Sequence, residues 1–145
     1  MSTVKHSFLA LMVVGVSVIA AQAQNRPAVE MISAEELKAK VTSNNPVTII
    51  DVRSSEGYSA SPTTVKGAIH FKLRKLKYRL AYAPLKNIPK EQEIVTYCAC
   101  PKDEASITAA QILKAAGFKR VKVLQGGWQE WRRANGPVEP RVKTE

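Results

Sequence analysis

EIVTYCACPKDEASITAAQILKAAG, residues 93–117, is the segment that decides the fold of this protein. Glu93 to Cys98 is mostly apolar or β-branched, which is typical of a strand buried on both faces. From Ser106 to Ala116 the apolar side chains recur at helical spacing, and Gly117 is the residue type that most often ends a helix. The segment therefore predicts a strand, a loop that carries the two cysteines, and a helix.

Strands and helices alternate outward from this segment in both directions. In chain order, the other predicted elements are a capped helix from Ser33 to Val41, a buried strand from Val47 to Val52, a short strand from Ala68 to Phe71, a small helix marked by Leu73, Leu76 and Leu80, a strand from Val121 to Leu124, a short helix with Trp128 and Trp131, and a loose tail from Pro137. This alternation predicts one α/β domain with a mostly parallel central sheet and helices on both faces. Ligands of such sheets bind where strands end and helices begin.

The first 23 residues have the composition of a secretory signal peptide. Lys5 precedes an apolar run from Phe8 to Ala20, and Ala21-Gln22-Ala23 has the small residues of a cleavage site. The run is about 13 residues long, whereas a transmembrane helix needs about 20. We therefore expect cleavage and a periplasmic location. The expected organisation is a signal peptide over 1–23, a linker over 24–30, a folded domain over 31–140 and a C-terminal tail over 141–145.

The chain is strongly basic, with 22 Lys and Arg against 12 Asp and Glu. An excess of positive charge favours anionic partners, and after export we expect no nucleic-acid partner. The charge is densest around the small helix, where it predicts either a solvated surface or a docking site for an acidic partner or an anionic membrane surface. The residues of this basic segment are Lys72, Arg74, Lys75, Lys77 and Arg79.

Cys98 and Cys100 are the only cysteines of the chain, and a single residue separates them, so they cannot link distant parts of the fold. They lie where a buried strand leads into a helix, and the amides and dipole of a helix start favour an anion there. This position favours the thiolate, which is the reactive form of cysteine. The alternative is a buried Cys98 that acts as a small apolar residue beside an inert Cys100.

Four short motifs resemble the successive signatures of rhodanese-like domains. In order they are Asp51-Val52-Arg53, Gly67-Ala68-Ile69, Ile94 to Cys98, and Gly126-Gly127-Trp128 with Trp131. The resemblance spans Met31 to Pro140 and implies a sulfurtransferase that uses no cofactor. In such a protein a cysteine thiolate takes the outer sulfur of a small anionic donor such as thiosulfate, holds it as a persulfide and passes it to a thiol or cyanide-like acceptor.

The cysteine loop departs from the family pattern, which has one cysteine and six loop residues. Counting back from the helix places the family's cysteine at Cys100, whereas counting forward from the strand places it at Cys98. We favour Cys98 as the sulfur carrier, which leaves Cys100 as a resolving thiol or disulfide partner. Upstream, Thr63 and Thr64 replace the Gly and His of the family's Gly-His-Ile, and there we expect a local structural change only.

The other residues of the loop are predicted to surround the sulfur donor: Ala99, Pro101, Lys102, Asp103, Glu104, Ala105 and Ser106. Lys102 is the cation of this loop, and it either attracts the donor or is a solvated surface residue. Asp103, Glu104 and Ser106 fit a capping role at the start of the helix. The resemblance implies that Arg53, next to the acidic Asp51, braces the rim of the site.

Other functions use a similar cysteine loop. Phosphatases related to this fold grip an oxyanion with a cysteine and an arginine, but no Arg lies between Cys98 and Arg120, so phosphoester chemistry is disfavoured. A Cys-x-Cys pair can hold Cu(I), but this spacing beside Pro101 is a weak metal signal, and we predict no metal site. The remaining alternative is a non-catalytic exported binding or redox module that uses the Cys-x-Cys pair.

Overall fold

The computed structural model describes residues 28–142. The predicted signal peptide, most of the predicted linker and the last three residues of the predicted tail lie outside the described residues. Within 28–142, none of the helices has both the length and the apolar composition needed to cross a membrane.

Short strands and helices alternate along the described chain. In order they are β1 (Glu30–Ile32), α1 (Ala34–Thr42), β2 (Val47–Asp51), α2 (Ser55–Ser59), β3 (Thr63–Val65), β4 (Ala68–His70), α3 (Leu76–Arg79), β5 (Glu93–Tyr97), α4 (Glu104–Ala115), β6 (Arg120–Leu124), α5 (Gly127–Arg133) and β7 (Val138–Pro140). Three 3-10 turns lie at Leu73–Lys75, Leu85–Asn87 and Pro101–Asp103.

The central sheet has five strands in the order β1-β6-β5-β2-β4, and every neighbouring pair is parallel. In the centre of the sheet, β2 and β5 pair from Val47 opposite Glu93 to Asp51 opposite Tyr97. The predicted α/β fold with a mostly parallel sheet is therefore confirmed.

Alternate residues of the central strands enter two separate cores. Ile50 and Ile94 pack with α3 and α4 on one face, whereas Ile49 and Val95 pack with α1 and α5 on the other. Because side chains alternate across a strand, a strand covered on both faces reads as a continuous apolar run. The Trp131 side chain is fully buried in the second core.

Several elements were not predicted. Strands β1, β3 and β7 have three residues each, and α2 is a five-residue helix that begins at Ser54, whose Oγ accepts a hydrogen bond from the Gly57 N–H. The predicted loose tail after Pro137 is wrong for Val138–Pro140, because these residues form β7 and pair antiparallel with β3. Three residues carry little periodicity, so strands this short are easily missed, although β4, of the same length, was predicted.

The cap of α1 is confirmed in part. The Ser33 Oγ accepts a hydrogen bond of 3.1 Å from the Glu36 N–H, as predicted. The Glu36 carboxylate lies 3.8 Å from the Lys122 Nζ, so it contributes to a surface ion pair.

The parallel sheet brings the carboxyl ends of β2, β5 and β6 to one edge. Three connections leave this edge side by side: Val52 to Ser54, Cys98 to Asp103, and Gln125 to Gly126. The motifs of the sequence analysis therefore meet at the end of the sheet where α/β proteins bind ligands.

Candidate active site

The two cysteines are joined in a disulfide, and their Cα atoms lie 5.6 Å apart. They differ in exposure. Cys98 follows directly after β5 and is 1% exposed, because its side chain packs in the core between the sheet and α4. Cys100 is only partly buried. A molecule in solution therefore reaches Cys100 more easily than Cys98.

The sulfur atoms also have different polar neighbours. The Ala105 N–H, in the first turn of α4, donates a hydrogen bond of 3.4 Å to the Cys100 Sγ. The Cys98 Sγ lies 3.6 Å from the Ser106 Oγ, and that hydroxyl donates to the Asp103 carbonyl oxygen at 2.9 Å. Backbone N–H groups at a helix start stabilise negative charge. Of the two sulfurs, Cys100 is thus the one whose negative charge the start of α4 is placed to stabilise.

The loop reaches α4 through an unusual backbone conformation. Lys102 and Asp103 have φ values of 55° and 56°, so two consecutive non-glycine residues adopt the left-handed conformation. Such residues cost about 1–3 kcal/mol each and persist only where surrounding contacts enforce them. Pro101, Lys102 and Glu104 are exposed at the rim, whereas Asp103 and Ser106 are buried.

Asp103 is held by a contact that the sequence did not reveal. The capping prediction is wrong for its side chain, which makes no hydrogen bond to α4 although the residue occupies the N-cap position. Instead the Asp103 Oδ2 accepts a hydrogen bond of 2.8 Å from the Gly126 N–H. Capping is also wrong for Ser106, whose hydroxyl donates to a loop carbonyl rather than accepting from a helix amide. Glu104 lies in the first turn of α4, where its charge suits the helix dipole.

The Gly126-Gly127-Trp128 motif packs against the backbone of the cysteine loop at Cys98. The Trp128 N–H donates a hydrogen bond of 2.8 Å to the Cys98 carbonyl oxygen. Gly127 has a φ of 51°, and a Cβ at this position would collide with the same carbonyl oxygen. The residue after Gly126 must therefore lack a side chain for the loop to lie this close. Sequence reasoning used these residues as a family signature and missed their contact with the cysteine loop.

Asp51 and Arg53 form a buried ion pair beneath the site. The Arg53 Nη2 lies 2.7 Å from the Asp51 Oδ2, and the Arg53 Nε donates to the same carboxylate at 2.9 Å. Asp51 also accepts hydrogen bonds from the Tyr97 hydroxyl at 2.7 Å and from Thr64 at 3.1 Å. Burial, together with the negative charge of Asp51, raises the pKa of Tyr97 far above its ordinary value, so Tyr97 remains a donor. The structure thus gives Thr64 a place in the network that links β2, β3 and β5.

The Arg53 guanidinium also lies among aromatic rings. It is 4.4 Å from the Trp128 ring centre and 5.1 Å from that of Tyr58. Such contacts stabilise a cation removed from water. Arg53 therefore connects the start of α5 to the end of β2, and its paired, enclosed charge makes it a supporting residue rather than a surface group.

A cavity of about 530 Å³ opens beside the loop. Ala105 forms part of its wall, and Lys72 and Arg74 from the predicted basic segment form another part. The other members of that segment, Lys75, Lys77 and Arg79, do not line this cavity. The structure therefore brings two of the five basic side chains to the cysteine loop. Glu56 lines the same cavity, so its wall carries both signs of charge with an excess of positive charge.

Comparisons with known proteins identify relatives of this chain. The model of the family described as Rhodanese-like domain matches residues 33–134. The "Putative sulfur carrier protein YrkF" of Bacillus subtilis is 30% identical over 108 residues, which are 74% of this chain and 54% of that protein. The thiosulfate sulfurtransferase YnjE of Escherichia coli is 49% identical over 45 residues, which are 28% of this chain and 10% of that protein. The chain thus spans about half the length of the Bacillus relative and a tenth of the E. coli one.

A solved structure with the same fold is the solution NMR structure of the rhodanese-like domain from the Anabaena Alr3790 protein. It superposes with a TM-score of 0.64 at 27% sequence identity, and the match covers 79% of this chain and 82% of that domain. The arrangement of strands and helices is therefore shared with this structure.

Proposed function

The chain belongs to the rhodanese-like domain family, and on this basis we propose that it is a sulfurtransferase that carries sulfane sulfur as a cysteine persulfide. The relatives named as a sulfur carrier and a thiosulfate sulfurtransferase support this class of chemistry. The single observation that carries the proposal is the position of Cys100, which is partly exposed and accepts a hydrogen bond from the Ala105 N–H at the start of α4.

Cys100 is the sulfur carrier in this proposal, in place of the Cys98 favoured from the sequence. A sulfur donor has to reach the attacking thiolate in line with its own sulfur–sulfur bond, and Cys98 is 1% exposed. The family alignment counted back from α4 also ends at Cys100. Its thiolate attacks the outer sulfur of thiosulfate, the donor's sulfur–sulfur bond breaks, and sulfite leaves. The disulfide seen here has to be reduced by a thiol before this step.

Positive charge near the loop suits an anionic donor. Lys72 and Arg74 line the cavity beside Ala105, and Lys102 is exposed on the loop itself. Although Glu56 also lines this cavity, the excess of positive charge favours a ligand of the opposite sign. We propose that these three cations draw in a small anionic donor such as thiosulfate and that the acceptor is a thiol or cyanide-like nucleophile. Ala99, Pro101 and Ala105 complete the proposed surroundings of the donor, whereas the buried Asp103 and Ser106 hold the loop in shape and Glu104 points to solvent at the rim.

Phosphoester hydrolysis is not proposed, because the loop has no arginine to grip a phosphate. Arg53 lies close by, but its guanidinium is already paired with the Asp51 carboxylate.

A second candidate is an exported redox or binding module that uses the Cys-x-Cys pair without sulfur transfer. The disulfide itself is the observation that favours this second candidate.

We also propose a periplasmic location after removal of residues 1–23, supported by the signal-like composition of that segment.

Mass spectrometry of two single-cysteine variants tests the proposal. Reduced Cys98→Ser and Cys100→Ser proteins are incubated with thiosulfate without oxygen, and their intact masses are measured. We expect a persulfide adduct of about 32 Da on Cys98→Ser and none on Cys100→Ser. An adduct only on Cys100→Ser would assign the carrier to Cys98. If neither variant gains sulfur from thiosulfate or from inorganic polysulfide, the protein is not a sulfur carrier and the redox module takes its place.

A further inference from the structure

The disulfide shows that the sulfur of Cys98 reaches the sulfur of Cys100 within the native fold. Ala99 alone separates the two residues, and both flanking segments are held in place. The Trp128 N–H binds the Cys98 carbonyl oxygen, and the Gln129 side chain donates to the Ala99 carbonyl oxygen at 3.2 Å. The pair is therefore organised for bond formation between its own sulfurs.

Burial restricts what else Cys98 can do. Its side chain lies in the core with Ile94, Ala109 and Ala110, and its exposed fraction is 1%. An isolated buried cysteine behaves as an inert apolar residue. Cys98 differs from that case because one face of its sulfur meets Cys100. Ser106 lies 3.6 Å from the same sulfur, and its own hydrogen is donated to the Asp103 carbonyl oxygen, so its oxygen is free to accept the Cys98 thiol hydrogen.

We propose that Cys98 is a resolving thiol that converts the Cys100 persulfide into a disulfide and releases hydrosulfide. This inference rests on the proposed function, which supplies the persulfide. It adds a second activity, because the sulfane sulfur is then reduced and released instead of being handed to an acceptor. The protein acts as a reductase of anionic sulfane-sulfur compounds.

The step balances without an external oxidant. The Cys98 sulfur attacks the Cys100 Sγ, which is the inner sulfur of the persulfide, and a bond forms between the two cysteine sulfurs. The bond from the Cys100 Sγ to the outer sulfur breaks, and the outer sulfur leaves with the electron pair and takes up the Cys98 thiol proton. It departs as hydrosulfide, reduced by two electrons, while the two cysteines are oxidised to the disulfide.

A dithiol reductant closes the cycle by reducing the disulfide. Its first attack falls on Cys100, since that sulfur is the more exposed of the two. Because the attack of Cys98 on the persulfide is intramolecular, it competes effectively with acceptors in solution. The wild-type protein therefore releases hydrosulfide without any added acceptor, whereas a protein that lacks Cys98 keeps the persulfide.

A single-turnover experiment tests this inference. Fully reduced wild-type protein and the Cys98→Ser and Cys98→Ala variants are freed of reductant and mixed with thiosulfate without oxygen. Hydrosulfide, sulfite and intact mass are then measured. For the wild type we expect about one equivalent each of sulfite and hydrosulfide and a mass about 2 Da below the reduced protein. For both variants we expect sulfite, a stable adduct of about 32 Da and hydrosulfide lower by about tenfold or more.

The outcomes separate the two proposals. The resolving role would be overturned if the wild-type protein kept its persulfide as long as the variants do. It would also be overturned if the variants released hydrosulfide as fast as the wild type. Either result would leave sulfur transfer intact. Absence of any adduct or sulfite in all three proteins, with inorganic polysulfide as well as with thiosulfate, would overturn sulfur transfer and the inference together. The Ala variant, which is apolar, shows whether a failure of the Ser variant comes from placing a hydroxyl in the core.

Discussion

The Asp103 carboxylate accepts a hydrogen bond of 2.8 Å from the Gly126 N–H and thereby ties the cysteine loop to the connection between β6 and α5. Asp103 itself is in the left-handed conformation, and its carboxylate is buried. The contact joins the loops at the carboxyl ends of neighbouring parallel strands. It explains how a loop with two strained residues keeps one shape beside Cys100.

Asp103→Ala should weaken both the fold and the reaction. The Gly126 N–H loses its partner, which costs about 1–3 kcal/mol of unfolding free energy. The loop also loses the contact that maintains its backbone, so we expect persulfide formation to slow by about ten- to a hundredfold. Urea unfolding and sulfite release measure the two effects. Glu104→Ala is the control, since it removes a neighbouring carboxylate that is exposed, and equal effects of both changes would contradict the role of Asp103.

Gly127→Ala should lower both the stability and the activity of the protein far more than Gly67→Ala does. Both glycines have positive φ values, 51° and 78°, so alanine pays a similar conformational cost of about 1–2 kcal/mol at either position. A Cβ at Gly127 also collides with the Cys98 carbonyl oxygen, whereas nothing lies within 4 Å of a Cβ at Gly67. We expect an additional loss of about 1–3 kcal/mol and a displaced cysteine loop for Gly127→Ala alone. Similar melting temperatures and similar sulfite release for the two variants would refute this explanation of the motif.

Tyr97 should make the fold sensitive to alkaline pH. Burial and the charge of Asp51 raise the pKa of Tyr97 above its ordinary value of about 10, so above that pH the unfolded chain loses a proton that the folded chain keeps. The contribution of Tyr97 is therefore complete below about pH 10 and decreases at higher pH by up to about 1.4 kcal/mol per pH unit. Tyr97→Phe should lower the free energy of unfolding at neutral pH and flatten its decline above pH 10.

Urea unfolding between about pH 8 and pH 11 checks this expectation. Tyr78→Phe is the control, because it removes the hydroxyl of a tyrosine that is 63% exposed. If the free energy of unfolding of Tyr97→Phe fell above pH 10 as steeply as that of the wild-type protein, Tyr97 would not be the group responsible for the alkaline sensitivity.

The effect of charge reversal in the basic segment on the KM for thiosulfate should depend on which residues are changed. Lys72 and Arg74 line the cavity beside the loop, whereas Lys75 and Lys77 do not. The double change Lys72→Glu with Arg74→Glu should raise the KM for thiosulfate several-fold, and added salt should reduce the difference, because exposed charges are screened within about 10 Å at 0.1 M salt. The double change Lys75→Glu with Lys77→Glu carries the same net charge and serves as the control. Equal effects would indicate that overall charge, and not the cavity, attracts the donor.

The sequence by itself determined the central strands, the long helix α4 and the family. Their signals are local: apolar runs in strands covered on both faces, helical spacing after the cysteines, and glycines at the turns. Arg53 could be assigned a supporting role because the family resemblance implies one, and only Val52 separates it from Asp51 at the same strand end. The cysteine loop was also located correctly, since its position between β5 and α4 follows from chain order alone.

Only the tertiary structure decided which cysteine faces the core, which partner holds Asp103 and where the short strands pair. Exposure of Cys98 and Cys100 depends on how α4 packs against β5, and that packing is absent from the local pattern. Asp103 had the sequence context of a helix cap, but the Gly126 N–H, 23 residues away, provides the hydrogen bond that it makes. Strand β7 exists because β3 pairs with it from a distant part of the chain. Such contacts form when the folded sheet brings remote loops to one edge, so short-range sequence patterns do not encode them.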